Sequence, residues 1–486
     1  MENKEPILEG VLEEFGKLSV IPRPSGHEKK ISDFLKHYLM NLGLHVVQDE
    51  RFNIIADKPA TKGCEDSARI ILQSHMDMVC VAENGVLYDA LKDSIQVVRK
   101  DGYLSAKGTS LGADDGIGIA EILYILKNLK EHGPLRAIFT VDEEQGMSGA
   151  EYLHEKYLLD AEYLLNCDSE DYDVLTVGSA GNVTIDFNRS IHFVPATCPS
   201  AYRICVDGLK GGHSGERIGD GRGNAIRTLA LAILALQKEG NVELRFAEGG
   251  TARNAIPSEA SAVIQTDLSE KTIKRILEGQ ETRFHEMYGI ADCVKISVFP
   301  EKEVSEVFAK EDMNQLLQLL TILHTGVYSM SPLKPELVET SANLGTVQME
   351  QERMTVSFLP RSAVDQKIEE FCQLAETVGE MTGFEVSISG KSHGWKENPN
   401  SRLAKLMPKI FQEQTGREMI VKTIHAGLEC GWHHKKNPKL DIVSIGVTTK
   451  DIHTPKERLL LSTVKPQVEL IMETIRRLSK HGLEHV

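Results

Sequence analysis

Residues 72 to 79 read LQSHMDMV, a histidine and an aspartate one residue apart inside an apolar run. Alternate side chains of a strand share a face, so His75 and Asp77 can address one place while Met76 packs on the other side. Ionisable groups among apolar neighbours are costly unless something pairs them, and a metal ion is the usual partner. Other donors follow along the chain. In KGTSLGADDGIGIA, glycines bracket two aspartates just ahead of an apolar helical run. The positive end of that helix favours an ionised, metal-binding carboxylate, with Asp114 or Asp115 as the ligand and the other as the cap. In LRAIFTVDEEQG an apolar strand runs into Glu143 and Glu144. Neighbours in an extended segment diverge, so one glutamate can reach a metal and the other a water or substrate beside it. Asp168 in NCDSED and His453 in TTKDIHTPKER each stand just past a strand, where α/β sheets place their active sites.

Two histidines with three or four carboxylates form a mixed nitrogen and oxygen donor set that suits zinc, with manganese or cobalt as substitutes. The set exceeds what one tetrahedral ion with an open position needs. It implies two ions bridged by one carboxylate, about 3.5 to 4 Å apart, and hence metal-assisted hydrolysis.

The elements that must position these residues alternate. A helix is expected near 29–42, a strand at 69–74, a helix at 116–130, and strands near 135–141 and 162–166. That order predicts an α/β sheet covered on both faces. From about 187 the rhythm becomes βαββαβ: strand 201–207, helix 224–238, strands 242–247 and 258–267, helix 270–288, strand 294–299. This order matches a ferredoxin-like unit. A partial echo follows, with helix 311–325, strands 343–349 and 353–359, helix 364–381 and strand 384–389. Residues 440–449 then read as a buried strand, before a closing helix ending near SKHG. The expected organisation is a discontinuous catalytic domain, 1–186 with 391–486, and an inserted α+β lid at 187–390 built on one ferredoxin-like unit or on a duplicated pair.

Composition narrows the partners. With 486 residues, 41% of them hydrophobic, substantial cores can form. A net charge of −16 argues against a nucleic-acid or anionic-membrane binder, because both need a positive surface. No basic leader precedes an apolar run, and the longest apolar stretch, TLALAILAL, is far short of a bilayer span. Eight cysteines without a CxxC pair suggest reduced core residues and a cytoplasmic protein.

Taken in order, SHMDMV, LGADDGIGIA, EEQGMSGA, LLNCDSED, GLKGGHSGERI, TARNAIPSEA and IHTPKER resemble the motifs of the M20 metallopeptidases, and within them the aminoacyl-histidine (Xaa-His) dipeptidases. The match covers nearly the whole chain. The resemblance implies a zinc-exopeptidase-like domain with a mixed sheet, and a homodimer formed through the lid. It implies that Asp114 bridges two zinc ions, with His75 and Asp168 on one and Glu144 and His453 on the other. Asp77 would orient His75, and Glu143 would be the general base. In the lid, His213 would stabilise the developing oxyanion, while Asn254, Arg361 and Gly427 would bind substrate. A planar guanidinium suits a dipeptide's terminal carboxylate. The neighbouring histidines 425, 433 and 434 receive no role. The expected substrate is an unblocked dipeptide, Xaa-His above all. The alternatives are an N-acyl amino acid or tripeptide cleaved by the same chemistry, or a metal-stabilised binding protein without catalysis.

Overall fold

The computed structural model describes residues 6–332 and 334–479. The chain forms two compact units. The first runs to Gly178 and resumes at Trp395–Thr423 and again from Leu428; the second comprises Ser179–Gly394 and Ile424–Gly427. Sequence patterning sets the divisions at 186/187 and 390/391. In the structure the chain changes unit at 178/179 and 394/395, and a four-residue segment returns to the second unit near 425.

The first unit is built on an eight-stranded mixed sheet. Its four central strands, Leu135–Thr140, Ile70–His75, Tyr163–Asn166 and Asp441–Ser444, lie side by side and parallel. Their near-continuous apolar sequences follow from burial on both faces. Ile70, Leu72, Ala137 and Leu165 pack with Phe15, Ile119 and Ile471 of the helices Pro6–Ser19, Ala113–Asn128 and Val464–Ser479. The alternate residues Ile71, Ile138, Leu164 and Ile442 pack on the opposite face with Leu153, Trp395 and Cys430. Each such side chain contributes roughly 1.5–3 kcal/mol of burial, and the parallel arrangement brings the carboxyl ends of all four strands to one edge. The run expected as a single strand at 440–449 is two, Asp441–Ser444 and Thr449–Lys450. Gly446 lies between them, where a Cβ would collide with the Ser169 carbonyl oxygen. Part of the SKHG helix end lies outside the described residues.

The second unit carries a ten-stranded sheet. One half follows the expected βαββαβ order: Ser200–Asp207, Ala225–Gln237, Val242–Gly249, Ala260–Thr266, Glu270–Tyr288 and Lys295–Glu301. The other half contains Lys310–Ile322, Val338–Glu350, Arg353–Ser362, Asp365–Thr382 and Glu385–Ser389. Its missing first strand is Thr184–Ser190, which pairs antiparallel with both Arg353–Ser362 and Glu385–Ser389. The second half therefore begins in sequence before the first half, which explains why sequence patterning shows only a partial echo. Val242–Gly249 meets Val338–Glu350 where the halves join, and the strand orders on the two sides mirror one another. The structure is thus a mixed α/β chain with a large helix-flanked sheet. Among the described residues, no helix is long and apolar enough to cross a membrane.

Candidate metal centre

The site lies where the central strands of the first unit end. His75 is the last residue of its strand and Asp77 stands just beyond it. Asp114 and Asp115 open the helix Ala113–Asn128, and the peptide bond between them is cis. Glu143 and Glu144 follow the strand Leu135–Thr140, Asp168 follows Tyr163–Asn166, and His453 follows Thr449–Lys450. The backbone of His453 sits at φ +58°, a conformation that non-glycine residues adopt mainly where surrounding structure enforces it.

Asp114 stands between the two histidines. Its Oδ1 is 3.1 Å from His75 Nε2 and its Oδ2 is 3.1 Å from His453 Nε2. On one side His75 Nε2 lies 3.5 Å from Asp168, and on the other His453 Nε2 lies 2.9 Å from Glu144. Asp115 turns inward. Its carboxylate accepts hydrogen bonds from the Ser74 hydroxyl and, at 3.2 Å, from the His75 amide. Donor atoms of His75, Asp114 and Glu144 lie within 4.8 Å of one another, as do those of His75, Asp115 and Asp168.

Asp77 is fully buried beside His75, with its Oδ1 3.4 Å from His75 Nδ1. Its carboxylate also accepts from the amides of Glu143 and Glu144, at 3.0 and 3.2 Å, and from Ser25 Oγ at 2.7 Å. This corrects one expectation. Glu143 and Glu144 do not continue an extended segment but begin a one-turn helix, Glu143–Gly146, after Asp142 at φ +57°. The two amides at the start of that turn are exposed donors, and Asp77 satisfies them.

Three further residues hold the frame. Buried Arg23 donates to the carbonyls of Met76 and Asp77, both at 3.0 Å, and to that of Gly112 at 2.5 Å. Glu457 accepts from the amides of Leu111, Gly112, Ala113 and Asp114 at 2.7–3.3 Å, fixing the turn that presents Asp114. Glu429 is buried beneath the strand ends. The charged type of each residue was visible in sequence, but its partners lie tens to hundreds of residues away.

Charge in this cluster is unbalanced. Burial disfavours the charged form of His75, but Asp168, Asp114 and Asp77 outweigh it and hold its pKa well above the usual imidazole value. Hydrogen bonds to Asp114 and Glu144 raise that of His453 to about 10. Burial, then the neighbouring carboxylate Asp168, pushes Glu143 well above the ordinary carboxylate range. Asp77, despite burial, is drawn down to about 2 by its contacts with His75, Ser25 and the Glu143 amide. Beyond the Arg23 guanidinium, which lies near Asp77 and Asp115, protons on the two imidazoles are the positive charges facing these carboxylates among the described residues. Divalent cations would replace them, and the carboxylate and imidazole donors fit zinc, manganese or cobalt.

The second unit holds a cluster of opposite character. Arg361 lies directly across the ladder from Ser341, whose hydroxyl is 2.7 Å from His425 Nε2. Arg361 is 6% exposed, its Nε has no hydrogen-bond partner among the described residues, and burial alone pushes its pKa down to about 10. His213 also feels this guanidinium, and its Nδ1 is buried without a hydrogen-bond partner among the described residues. Asn254 is exposed. Its carbonyl accepts from the Ser214 amide at 2.8 Å, beside the short ladder in which His213 faces Ala255. Gly427 closes the segment that carries His425. His425, given no role from sequence, thus belongs with Arg361, whereas His433 is fully buried in the helix Cys430–Lys436 of the first unit.

Known proteins share this framework. The model of peptidase family M20/M25/M40 matches residues 71–477. The cytosol non-specific dipeptidase of Escherichia coli (strain K12) is 32% identical over 470 residues, 96% of each chain. The aminoacylhistidine dipeptidase from Vibrio alginolyticus is 30% identical with a TM-score of 0.89, covering 98% of this chain and 99% of that one. Human carnosine dipeptidase 1 is 13% identical at a TM-score of 0.51 over 97% of each chain, a likeness of fold alone.

Proposed function

We propose, from the premise that the chain belongs to peptidase family M20/M25/M40 and hydrolyses peptide bonds, that it is a di-zinc dipeptidase acting on unblocked dipeptides, with Xaa-His preferred. The observation that carries this reading is the position of Asp114, with one carboxylate oxygen toward each of two imidazoles that have their own acidic partners. In this reading Asp114 bridges, His75 and Asp168 hold one ion, and Glu144 and His453 hold the other. The inward hydrogen bonds of Asp115 favour Asp114 as the bridge. When bound, the ions activate water and polarise the scissile carbonyl.

The chain's own groups complete the reaction. Glu143 takes a proton from the attacking water and delivers it to the leaving amine nitrogen. Asp77 keeps the His75 ring oriented by accepting from its second nitrogen. In the second unit, read as a lid and dimerisation domain, Arg361 takes the substrate's terminal carboxylate and His213 stabilises the oxyanion. Asn254 and Gly427 line the substrate's path. The homodimer rests on the family resemblance. A cytosolic setting is supported by eight free cysteines and by the E. coli relative's name.

The test compares hydrolysis of a free Xaa-His dipeptide, the same residue pair ending in glycine, N-acetyl-histidine and a tripeptide ending in histidine by the zinc-loaded protein. Preference for the first supports the proposal. Equal rates on both dipeptides make it a non-specific dipeptidase, and preference for the acetylated compound or tripeptide refutes the substrate assignment.

A further inference from the structure

Near the carboxyl ends of the first unit's central strands an apolar row gives way to a polar one. On one face Ile138, Ile71 and Leu164 give way, two residues on, to Thr140, Gln73 and Asn166, which are all fully buried. Three polar side chains on adjacent parallel strands need partners, and Glu429 supplies the central one. Its Oε2 accepts from Gln73 Nε2 at 2.6 Å and from Thr140 Oγ1 at 2.7 Å. Gln73 Oε1 accepts in turn from Asn166 Nδ2 at 2.7 Å, and Asn166 Oδ1 faces the Asp168 amide at 3.4 Å. Each strand so linked delivers part of the metal centre within four residues: His75 after Gln73, Glu143 and Glu144 after Thr140, and Asp168 after Asn166.

We infer that Glu429 is a positioning residue of the hydrolytic reaction: one buried carboxyl ties two strand ends together directly, and a third through Gln73, and so sets the spacing of the donors and base they carry. The inference rests on the proposed metal centre and adds a residue that stands outside its proposed ligand set. Groups that orient metal-binding side chains typically account for ten- to hundredfold in metal affinity or activity. Here the orientation acts through backbone ends rather than through a ligand's own second atom. Its other oxygen, Oε1, is buried without a partner among the described residues. The residue thus works chiefly as a double acceptor at Oε2, a duty that an amide oxygen can also perform.

Three variants, each measured for zinc affinity by chelator competition and for kcat and KM on a dipeptide, test this. Glu429→Ala is expected to weaken zinc binding and lower kcat by about 10- to 100-fold with KM changed less than about twofold. Glu429→Gln, retaining the acceptor, should recover both to within about threefold of wild type. Thr140→Val, removing one link at constant shape, should fall between them. Wild-type zinc affinity and kcat in Glu429→Ala would overturn the inference, as would Glu429→Gln as impaired as Glu429→Ala. If Glu429→Ala does not fold, Thr140→Val decides: wild-type values there refute the inference and an intermediate loss sustains it. Should the wild-type protein cleave no dipeptide, the functional reading fails, while the zinc affinities still judge the positioning role.

Discussion

The two units each contain a buried cluster of ionisable groups with unbalanced charge, and the imbalance has opposite sign. In the first unit, carboxylates crowd two imidazoles and drive their pKa values up. In the second, a buried guanidinium with no paired carboxylate among the described residues stands near two imidazoles, and burial followed by that guanidinium lowers both histidines, outweighing Glu216 at His213. Buried charge is tolerated when compensated. One cluster therefore calls for cations and the other for an anion, which is the pair of demands that a metal-dependent hydrolase of free peptides makes.

The comparison breaks most visibly at Glu143, proposed above as a base in the acidic cluster rather than a metal ligand. Glu143→Ala should lower kcat by about 10²- to 10⁴-fold while zinc content by elemental analysis stays at the wild-type value. Loss of zinc with activity would make Glu143 a ligand instead. Chelation should separate the units next. At a free zinc concentration about a hundredfold above Kd, bound metal adds ~2.7 kcal/mol of stability. Hydrogen exchange after chelation should therefore quicken in the strands Ile70–His75 and Leu135–Thr140, but not in Arg353–Ser362. In the basic cluster, Arg361→Ala should cost about 1.5–3 kcal/mol, or roughly 10- to 150-fold in kcat/KM, on dipeptides with a free carboxylate. Little change is expected on the C-terminal amides; equal losses on both would show that Arg361 does not read the carboxylate.

The smallest effect is one of pH. Burial first, and Arg361 second, hold His425 down to about 3, whereas an unfolded histidine titrates near ~6.5. The folded state keeps the ring neutral and the unfolded state protonates it, so its contribution is complete above about pH 6.5 and is lost as pH falls below that. Stability should drop by ~1 kcal/mol between pH 6.5 and 5.5 on this account, and His425→Asn should remove that part of the slope in denaturant titrations. An unchanged slope would mean that the ring finds a proton partner in the fold.

What sequence patterning revealed follows from locality. Four of the five proposed ligands sit where an apolar run stops and acidic or imidazole groups begin, and Asp114 sits just ahead of one, contrasts visible within a dozen residues. Glu457 and Arg23 escaped because their partners, the amides of 111–114 and the carbonyls of Met76, Asp77 and Gly112, are not sequence neighbours. Glu429 stands in the same HAGLECG segment as Gly427, yet nothing local tells a buried acceptor from a surface acid. His425 looked like any loop histidine until the ladder put Ser341 opposite Arg361. The helical turn at Glu143 was hidden too, because Asp77, which caps it, lies 66 residues earlier.

The interleaving of the second unit's halves has a consequence for synthesis. Thr184–Ser190 leaves the ribosome well before its neighbours Arg353–Ser362 and Glu385–Ser389. At about 5–20 residues per second, the delay is on the order of 10–30 s. Throughout that interval Ile185 and Phe187, both fully buried in the finished protein, have no native strand to cover them. The half spanning Ser200–Glu301 can meanwhile close on itself. The nascent chain therefore carries an open strand past a complete neighbouring fold, and that strand is the segment a chaperone would have reason to hold.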